Sequence, residues 1–210
     1  MYVPAQFAET RTEVMHQLVH QHPLGTLVML GEDGLQADHI PFDIVAGGSP
    51  FGTLQAHVAR SNPVWRRDAH TESLIVFQGA QAYISPSLYA TKKEHGKVVP
   101  TYNYMVVHAY GHLRAIDDPQ WVRACLERLS AKHEAGREAP WAIGDAPADF
   151  IDTLLKQIVG IEIVITRLQG KWKVSQNQPQ RNRASVEAGL QEQGGESSLA
   201  MAEAVALRGA

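Results

Sequence analysis

Residues 57–66, HVARSNPVWR, place a cation between the end of a predicted strand and the start of a helix. Ser61 or Asn62 can cap that helix, with a proline in its first turn. Helix N-terminal amides carry partial positive charge, and the Arg60 guanidinium beside them offers two more donors. Together with His57, these residues are a candidate phosphate site. The alternative is an ordinary capped helix beside a solvated arginine.

A second group of cations lies in residues 170–183, GKWKVSQNQPQRNR. The upstream glycine and the following Ser or Thr of a phosphate loop are missing. Three interpretations stay open: a short nucleic-acid patch, an edge strand protected by lysines, and a basic rim to an anionic ligand site. Lys92 and Lys93, in the loop over residues 86–97, are further candidate anchors. The polar side chains of the 170–183 segment include Lys171, Lys173, Ser175, Gln176, Arg181 and Arg183.

Residues 98–111, VVPTYNYMVVHAYG, alternate as a strand does, yet neither side of the strand carries a charge. Each side of the strand is mostly apolar but carries a few polar groups. Tyr102, Tyr104, His108 and Tyr110 lie on one side, and Thr101 and Asn103 lie on the other. Both faces should therefore meet apolar neighbours that can hydrogen-bond. A strand buried on both faces within one chain would have the same pattern.

The other reactive side chains favour ordinary structural roles. Cys125 lies on the apolar stripe of a predicted helix without a basic neighbour, which favours a core residue over a nucleophile. Ser85 and Ser87 lack the nucleophile elbow of hydrolases. Three histidines lack the glutamate of the zinc-protease pattern, so a solvated helix face is favoured over a metal site: His16, His20 and His22.

The elements that position these residues are mostly antiparallel strands. Alternation and turn residues predict strands over 25–30, 35–45, 52–58, 73–85 and 98–111, and a hairpin over 161–176 around Gln169-Gly170. Helices are predicted over 8–22, from 61, over 118–135 and over 147–160. No Gly-rich turn joins a strand to a helix, which excludes a Rossmann unit. We expect an α+β protein that is mainly β, with an antiparallel, nearly closed barrel.

Composition limits the classes of protein further. The chain has 210 residues, 44% of them hydrophobic and 20% charged, with a net charge of −3 and one cysteine. These values predict a soluble cytoplasmic protein without a disulfide framework, a membrane helix or a signal peptide. Residues 1–177 are predicted to form a single domain, and residues 178–210 a polar tail that is helical or partly disordered.

Six segments, in this order along the chain, resemble the PaiB family of FMN-binding negative transcriptional regulators: MYVPAQF, HVARSNPVW, VFQGAQAYISPSLY, VVPTYNYMVVHAYG, IVGIEIVI and GKWKVSQN. The resemblance covers residues 1 to about 183. In the family pattern a tryptophan is usual at the positions of Leu88 and Tyr102. The change at Leu88 removes an aromatic ring, whereas Tyr102 keeps one.

The resemblance implies a split β-barrel like that of pyridoxamine-phosphate oxidase, formed as a homodimer with FMN in the dimer cleft. A strand that lines such a cleft has one face toward the core and one toward the partner chain or the flavin, which fits residues 98–111. The candidate FMN-binding residues are then His57, Arg60, Ser61, Asn62, Lys92, Tyr102, Asn103, Tyr104, His108, Lys171, Ser175 and Gln176. No catalytic residue and no metal site is assigned.

Three functions follow from the resemblance and stay open. The first is an FMN-binding negative transcriptional regulator that acts on DNA or through a regulatory protein partner. The sequence has no helix-turn-helix signature, and its acidic net charge disfavours non-specific DNA binding. The second is a flavin-dependent oxidoreductase, with His39 and His108 as candidate proton donors or acceptors. The third is a flavin or haem carrier without turnover.

Overall fold

The computed structural model describes residues 1–31, 33–67 and 69–208. Its strands are β1 (Ala8–Glu9), β2 (Leu24–Gly31), β3 (Gly34–Pro41), β4 (Asp43–Gly47), β5 (Ser49–Ala59), β6 (Glu72–Ile84), β7 (Thr101–Ile116) and β8 (Ile158–Lys173). Its α-helices are α1 (Thr12–Gln21), α2 (Lys92–His95), α3 (Pro119–Glu134), α4 (Ala148–Leu155), α5 (Gln180–Gln193) and α6 (Glu196–Leu207). Short 3-10 helices occur at Ala5–Phe7, Pro63–Arg66, Pro86–Leu88 and Ile143–Asp145.

The strands form one sheet in the order β3-β2-β6-β7-β8-β5-β4, and β1 adds to β8. The pairs β2–β3, β2–β6, β4–β5, β5–β8 and β1–β8 are all antiparallel, as the sequence predicts. The chain divides into two compact units, and β6, β7 and β8 each contribute residues to both. Unit 1 contains residues 1–22, 77–108 and those from Gln169 onward; unit 2 contains residues 23–76 and 109–168.

The core of unit 2 is built by alternation on β5 and β8. Leu54 and Ala56 are fully buried on β5, while Ile161, Ile163 and Ile165 have no exposed surface on β8. Burying such a side chain contributes about 1.5–3 kcal/mol. A second apolar cluster joins α3 to α4 and the turn before it: Val122, Ile143, Ile151 and Leu155.

Unit 1 includes both C-terminal helices. One side of α5 and one side of α6 are buried, with Val186, Leu190 and Met201 fully enclosed. The buried carboxylate of Glu9 pairs with two arginines: Arg11, and Arg208, which lies just beyond α6. The polar tail is therefore helical over most of its described length; its last two residues, 209 and 210, lie outside the described residues.

The predicted hairpin over 161–176 is wrong, because β8 runs without a turn from Ile158 to Lys173. Gly170, the expected turn residue, stays extended and pairs with Glu9 of β1. A Cβ at Gly170 would lie 2.9 Å from the Glu9 Cβ and the Met15 sulfur, so the glycine allows close packing rather than a turn.

Three other boundaries differ from the sequence prediction. The helix expected over 147–160 ends at Leu155, and Gly160 is part of β8, where a Cβ would lie 2.4 Å from the Trp121 ring. The strand expected over 35–45 is divided at Phe42. The first helix starts only at Thr12, because residues 8 and 9 pair with β8. In each case contacts distant in sequence override the local pattern.

Gly111 on β7 allows a close approach to the backbone of β8 within unit 2. A Cβ there would lie 2.3 Å from the carbonyl oxygen of Val164, which cannot move without displacing β8. We expect Gly111→Ala to lower the free energy of unfolding by about 1–3 kcal/mol, the range for overpacking. Gly136→Ala is the control, since nothing lies within 4 Å of its Cβ position, and it should change stability by less than about 0.5 kcal/mol. Urea denaturation measures both, and equal effects would contradict this account of Gly111.

Candidate functional site

The candidate site residues of unit 2 lie at the end of β5. Asn62 caps the short 3-10 helix Pro63–Arg66, because its Oδ1 accepts from the backbone N–H of Val64 at 2.9 Å. Its Nδ2 donates to Asp38 at 2.8 Å, and Ser61 beside it is exposed. The predicted capped helix start is thus confirmed, but it extends for four residues only.

The Arg60 guanidinium is held by groups of its own unit. It donates from Nη1 and Nη2 to both oxygens of Asp117, at 2.9 and 2.6 Å, and from Nε to the carbonyl of Lys156 at 2.8 Å. Nη2 also donates to the carbonyl of Ile158 at 3.2 Å. The hydrogen bonds with Arg60 lower the pKa of Asp117. An incoming phosphate would have to compete with this carboxylate, so the role of Arg60 in phosphate binding stays a prediction.

His57 lies on β5 two residues before the strand ends, and its side chain is half-buried with an enclosed Nδ1. Among the described residues nothing forms a hydrogen bond with that nitrogen. Burial lowers the pKa of His57, which favours the neutral imidazole at neutral pH. The side chain can therefore offer a hydrogen bond to a neighbour, but it does not add positive charge beside Arg60.

The candidate residues of unit 1 include a buried cation. Lys171 on β8 is only 8% exposed, and its ammonium lies 5.1 Å from the centre of the Tyr104 ring and 5.7 Å from that of Tyr2. Within the described parts of the chain no carboxylate pairs with it. A buried charge normally has a partner of opposite sign, and the two aromatic faces compensate only partly. Lys171 is therefore suited to an anion.

Lys173, two residues further along β8, adds a second positive charge. Its ammonium donates to the backbone carbonyl of Tyr102 at 2.5 Å and to the hydroxyl of Thr101. Burial lowers the pKa of Lys173, and the positive charge of Lys171 lowers it further. Mutual repulsion of this kind is relieved when an anion binds between or beside two cations. We call Tyr2, Tyr104, Lys171 and Lys173 the lysine cluster.

On the opposite parity of β7, Asn103 is fully buried. Its Nδ2 donates to the hydroxyl of Ser175 at 2.9 Å, while no described residue donates to its Oδ1. Ser175 adopts a left-handed conformation, with φ of 65°, which is rare for a residue with a side chain. Gln176 fixes the same turn by accepting from the N–H of Val174 at 2.8 Å. The backbone of this turn is thus strained at Ser175, and the neighbouring Asn103 Oδ1 has no described hydrogen-bond donor.

The side chains of three further candidate residues lie outside the lysine cluster and the Asn103–Ser175 contact. Tyr102 is 52% exposed and meets Tyr83 edge-on, with ring centres 6.3 Å apart. His108 is half-buried, and burial, followed by the charge of the chain's amino terminus, lowers its pKa. Lys92 is exposed at the start of α2.

Sequence reasoning missed Tyr2 as a member of the site. The 3-10 helix Ala5–Phe7 and strand β1, which pairs with β8, follow Tyr2 in the chain, and its ring faces the Lys171 ammonium. The only signal was its place in the segment MYVPAQF, since an isolated N-terminal aromatic has no periodicity to predict its neighbours. Cys125, by contrast, is buried as predicted, and burial raises the pKa of its thiol to about 11, which makes it unreactive.

Comparison with known proteins now identifies the family. Residues 1–167 match the model of a family described as "Putative FMN-binding domain". The chain belongs to this FMN-binding family. It is 30% identical over 204 residues to the Bacillus subtilis protease synthase and sporulation protein PAI 2, which covers 97% of this chain and 95% of that protein. The predicted resemblance to PaiB is thereby confirmed.

One further relative supports the family assignment, and a solved structure supports the fold. An uncharacterized protein of Emericella nidulans is 33% identical over 245 residues, covering all of this chain and 98% of its own length. The solved structure of the FAD and heme binding protein from Mycobacterium smegmatis has a TM-score of 0.59 at 16% identity, covering 79% of this chain and 73% of that one. The predicted fold class, an antiparallel split β-barrel with peripheral helices, is confirmed.

FMN is the cofactor of this family and of this chain. The lysine cluster fits its phosphate, because a buried ammonium without a carboxylate partner matches a dianion. The unpartnered Oδ1 of Asn103 fits a hydrogen-bond donor such as the N3–H of a flavin ring. The family model ends at residue 167, however, so that Lys171, Ser175 and Gln176 lie just beyond the matched residues.

Proposed function

We propose that the protein is an FMN-binding negative regulator of gene expression that acts through a protein partner. The similarity to PAI 2, over nearly the full length of both chains, carries this proposal, because the name of that relative links it to protease synthesis and sporulation. A net charge of −3 disfavours strong attraction to DNA, which supports a protein partner over direct DNA contact.

The chemistry of the lysine cluster also supports binding rather than turnover. Its polar groups are two ammonium groups and two phenols, without a carboxylate, imidazole or thiol. Such groups neutralise and orient an anion, whereas proton transfer usually needs a group that titrates near neutral pH. Bound FMN itself supplies the redox-active ring, and the chain supplies its position and its electrostatic surroundings.

In this proposal Lys171 and Lys173 hold the phosphate, and Tyr104 and Tyr2 form the surface beside it. Asn103, Ser175 and Gln176 fix the turn that follows β8, while Tyr102 and His108 lie on the same strand parity as Tyr104. His57, Arg60, Ser61, Asn62 and Lys92 remain the competing anchors, of which Arg60 must first release Asp117.

The two phosphate anchors can be separated by comparing FMN with riboflavin, which lacks the phosphate. We expect Lys171→Ala to weaken FMN binding by about 1.5–3 kcal/mol, the range for hydrogen bonds to charged groups, and to leave riboflavin nearly unchanged. Calorimetry on both ligands measures the difference. Lys97→Ala is a control, because Lys97 is exposed and lies in the same unit. If Arg60→Ala removes the preference for FMN and Lys171→Ala does not, the phosphate lies at the end of β5 instead.

We also propose that the protein is a homodimer, with the start of β7 at the interface. Val106 and Val107 are buried within the single chain, but Tyr102 keeps 52% of its surface exposed and Tyr83 keeps 54%. Exposed aromatic pairs of this kind are typical of interfaces. Light scattering should give twice the chain mass, and Tyr102→Glu should reduce it. Leu35→Glu, at a 77% exposed position of β3, should leave it unchanged; a monomer mass for the native chain at micromolar concentration would refute the dimer.

A flavin-dependent oxidoreductase is the second candidate. His57 and His108 favour it, because burial lowers the pKa of both and thereby keeps a neutral imidazole available as a proton acceptor. Anaerobic mixing with NADH or NADPH, followed by flavin absorbance, tests the choice. As a regulator, the protein should show no bleaching within seconds, and Lys171→Ala should change the expression of a target gene in cells. Rapid bleaching with reoxidation by a small acceptor would establish an oxidoreductase.

A further inference from the structure

The N-terminal segment, residues 1–9, follows the end of β8 through contacts along its length. The amino group of Met1 donates to Oε1 of Gln169 at 3.2 Å. A carbonyl of the following 3-10 helix accepts from Nε2 of Gln176 at 3.1 Å, and β1 then pairs with β8 beside Lys171. The N-terminal segment therefore forms one side of the lysine cluster.

The position of the Tyr2 ring depends on this segment. The side chain is 83% exposed, so little packing holds it, yet its ring centre lies 5.7 Å from the Lys171 ammonium. The backbone of the same segment also borders Lys171, because Ala8 is its direct partner on β1. A displacement of β1 from β8 would therefore move both of these neighbours of the ammonium.

The register of β1 keeps the carboxylate of Glu9 away from Lys171. Directly opposed residues of an antiparallel pair lie on the same side of the sheet, and successive pairs alternate between the two sides. Ala8 and Lys171 therefore share one side, whereas Glu9 and Gly170 share the other. Glu9 is thus not the counter-ion of Lys171, and the ammonium stays available to an anionic ligand.

Glu9 instead forms a buried ion pair with a residue distant in the sequence. Its side chain is only 2% exposed and accepts from Arg11, two residues further on, and from Arg208, which follows α6. Helix α6 is itself anchored in unit 1, where Met201 and Val205 are buried. Arg208 therefore extends from a fixed helix and ties β1 to it across 199 positions of the sequence.

The position of β1 is sensitive to the loss of either partner of this ion pair. A buried carboxylate that loses one of its cations keeps the cost of desolvation without the compensating charge. Glu9 would then be drawn toward water. The close contact at Gly170, where a Cβ would lie 2.9 Å from that of Glu9, couples such a movement to the pairing of β1 with β8.

We infer that Glu9 and Arg208 are positioning residues of the FMN phosphate site. Neither residue contacts the phosphate; their ion pair holds β1 against β8 and so fixes the surroundings of Lys171. The inference rests on the phosphate role proposed above for Lys171. It gives a function to Arg208, which lies beyond residue 167, where the match to the FMN-binding family ends.

The ratio of FMN affinity to riboflavin affinity tests this role, because a change in folding stability alone leaves the ratio unaltered. Arg208→Gln should lower the ratio at least about threefold, near the lower limit for coupled residues, with riboflavin affinity nearly unchanged. Arg208→Lys should keep most of the native ratio, since it retains the charge. Calorimetry on both ligands gives the ratio, and thermal unfolding verifies that each variant is folded.

Arg114→Gln is the matched control. Arg114 also pairs with a largely buried carboxylate distant in the sequence, that of Glu162, but both residues lie in unit 2. This variant should lose some stability and keep the native ratio. An unchanged ratio in Arg208→Gln, or an equal fall in the control, would overturn the positioning role.

Two further variants separate the remaining outcomes. If Arg208→Gln does not fold, Glu9→Asp withdraws the carboxylate by one methylene and should lower the ratio in the same direction; a native ratio there would also overturn the inference. If Lys171→Ala removes the preference for FMN but Arg208→Gln does not, only the positioning role fails. If Lys171→Ala keeps that preference, the phosphate anchor and the positioning role fail together.

Discussion

The uninterrupted strand β8 is the constraint on which the rest of the structure depends. It pairs with β5 over residues 158–164, lies next to β7 in the sheet, and pairs with β1 at residues 170 and 171. Its first half supplies fully buried isoleucines to the core of unit 2, and its last residues supply Lys171 and Lys173 to unit 1. One strand thus fixes both the apolar core and the two charges that suit the cofactor.

Glycines make this strand possible. Gly160 and Gly170 lie in β8 itself, and Gly111 faces it from β7; at each of the three a side chain would collide with a neighbour. None of the three has positive φ among the residues described. Their function is close approach, which brings the Trp121 ring, the β1 segment and the backbone of β7 against β8. A turn prediction based on glycine alone therefore fails at such positions, as it does at Gly170.

The two candidate anchors for an anion, Arg60 and Lys171, differ in how their positive charges are compensated. Arg60 is a partly buried cation that donates to Asp117 and to two backbone carbonyls, a set of contacts that stabilises the end of β5 without any ligand. Lys171 is buried against aromatic rings, with another ammonium two residues away. Isolated cations in low-dielectric surroundings are costly, and such sites are often completed by an anionic ligand.

The sequence by itself determined the fold class, the antiparallel pairing of the strands, the helix that starts after Asp118 and the family, because these depend on local alternation, capping residues and long matching segments. It also placed Tyr104, Asn103 and Lys171 among the candidate residues. Only the tertiary structure decided that β8 has no turn, that Arg60 is paired with Asp117, that Tyr2 faces Lys171 and that helices α5 and α6 line an open cleft. The physical reason is that each of these depends on contacts between residues far apart in the chain, to which local periodicity and propensity are insensitive.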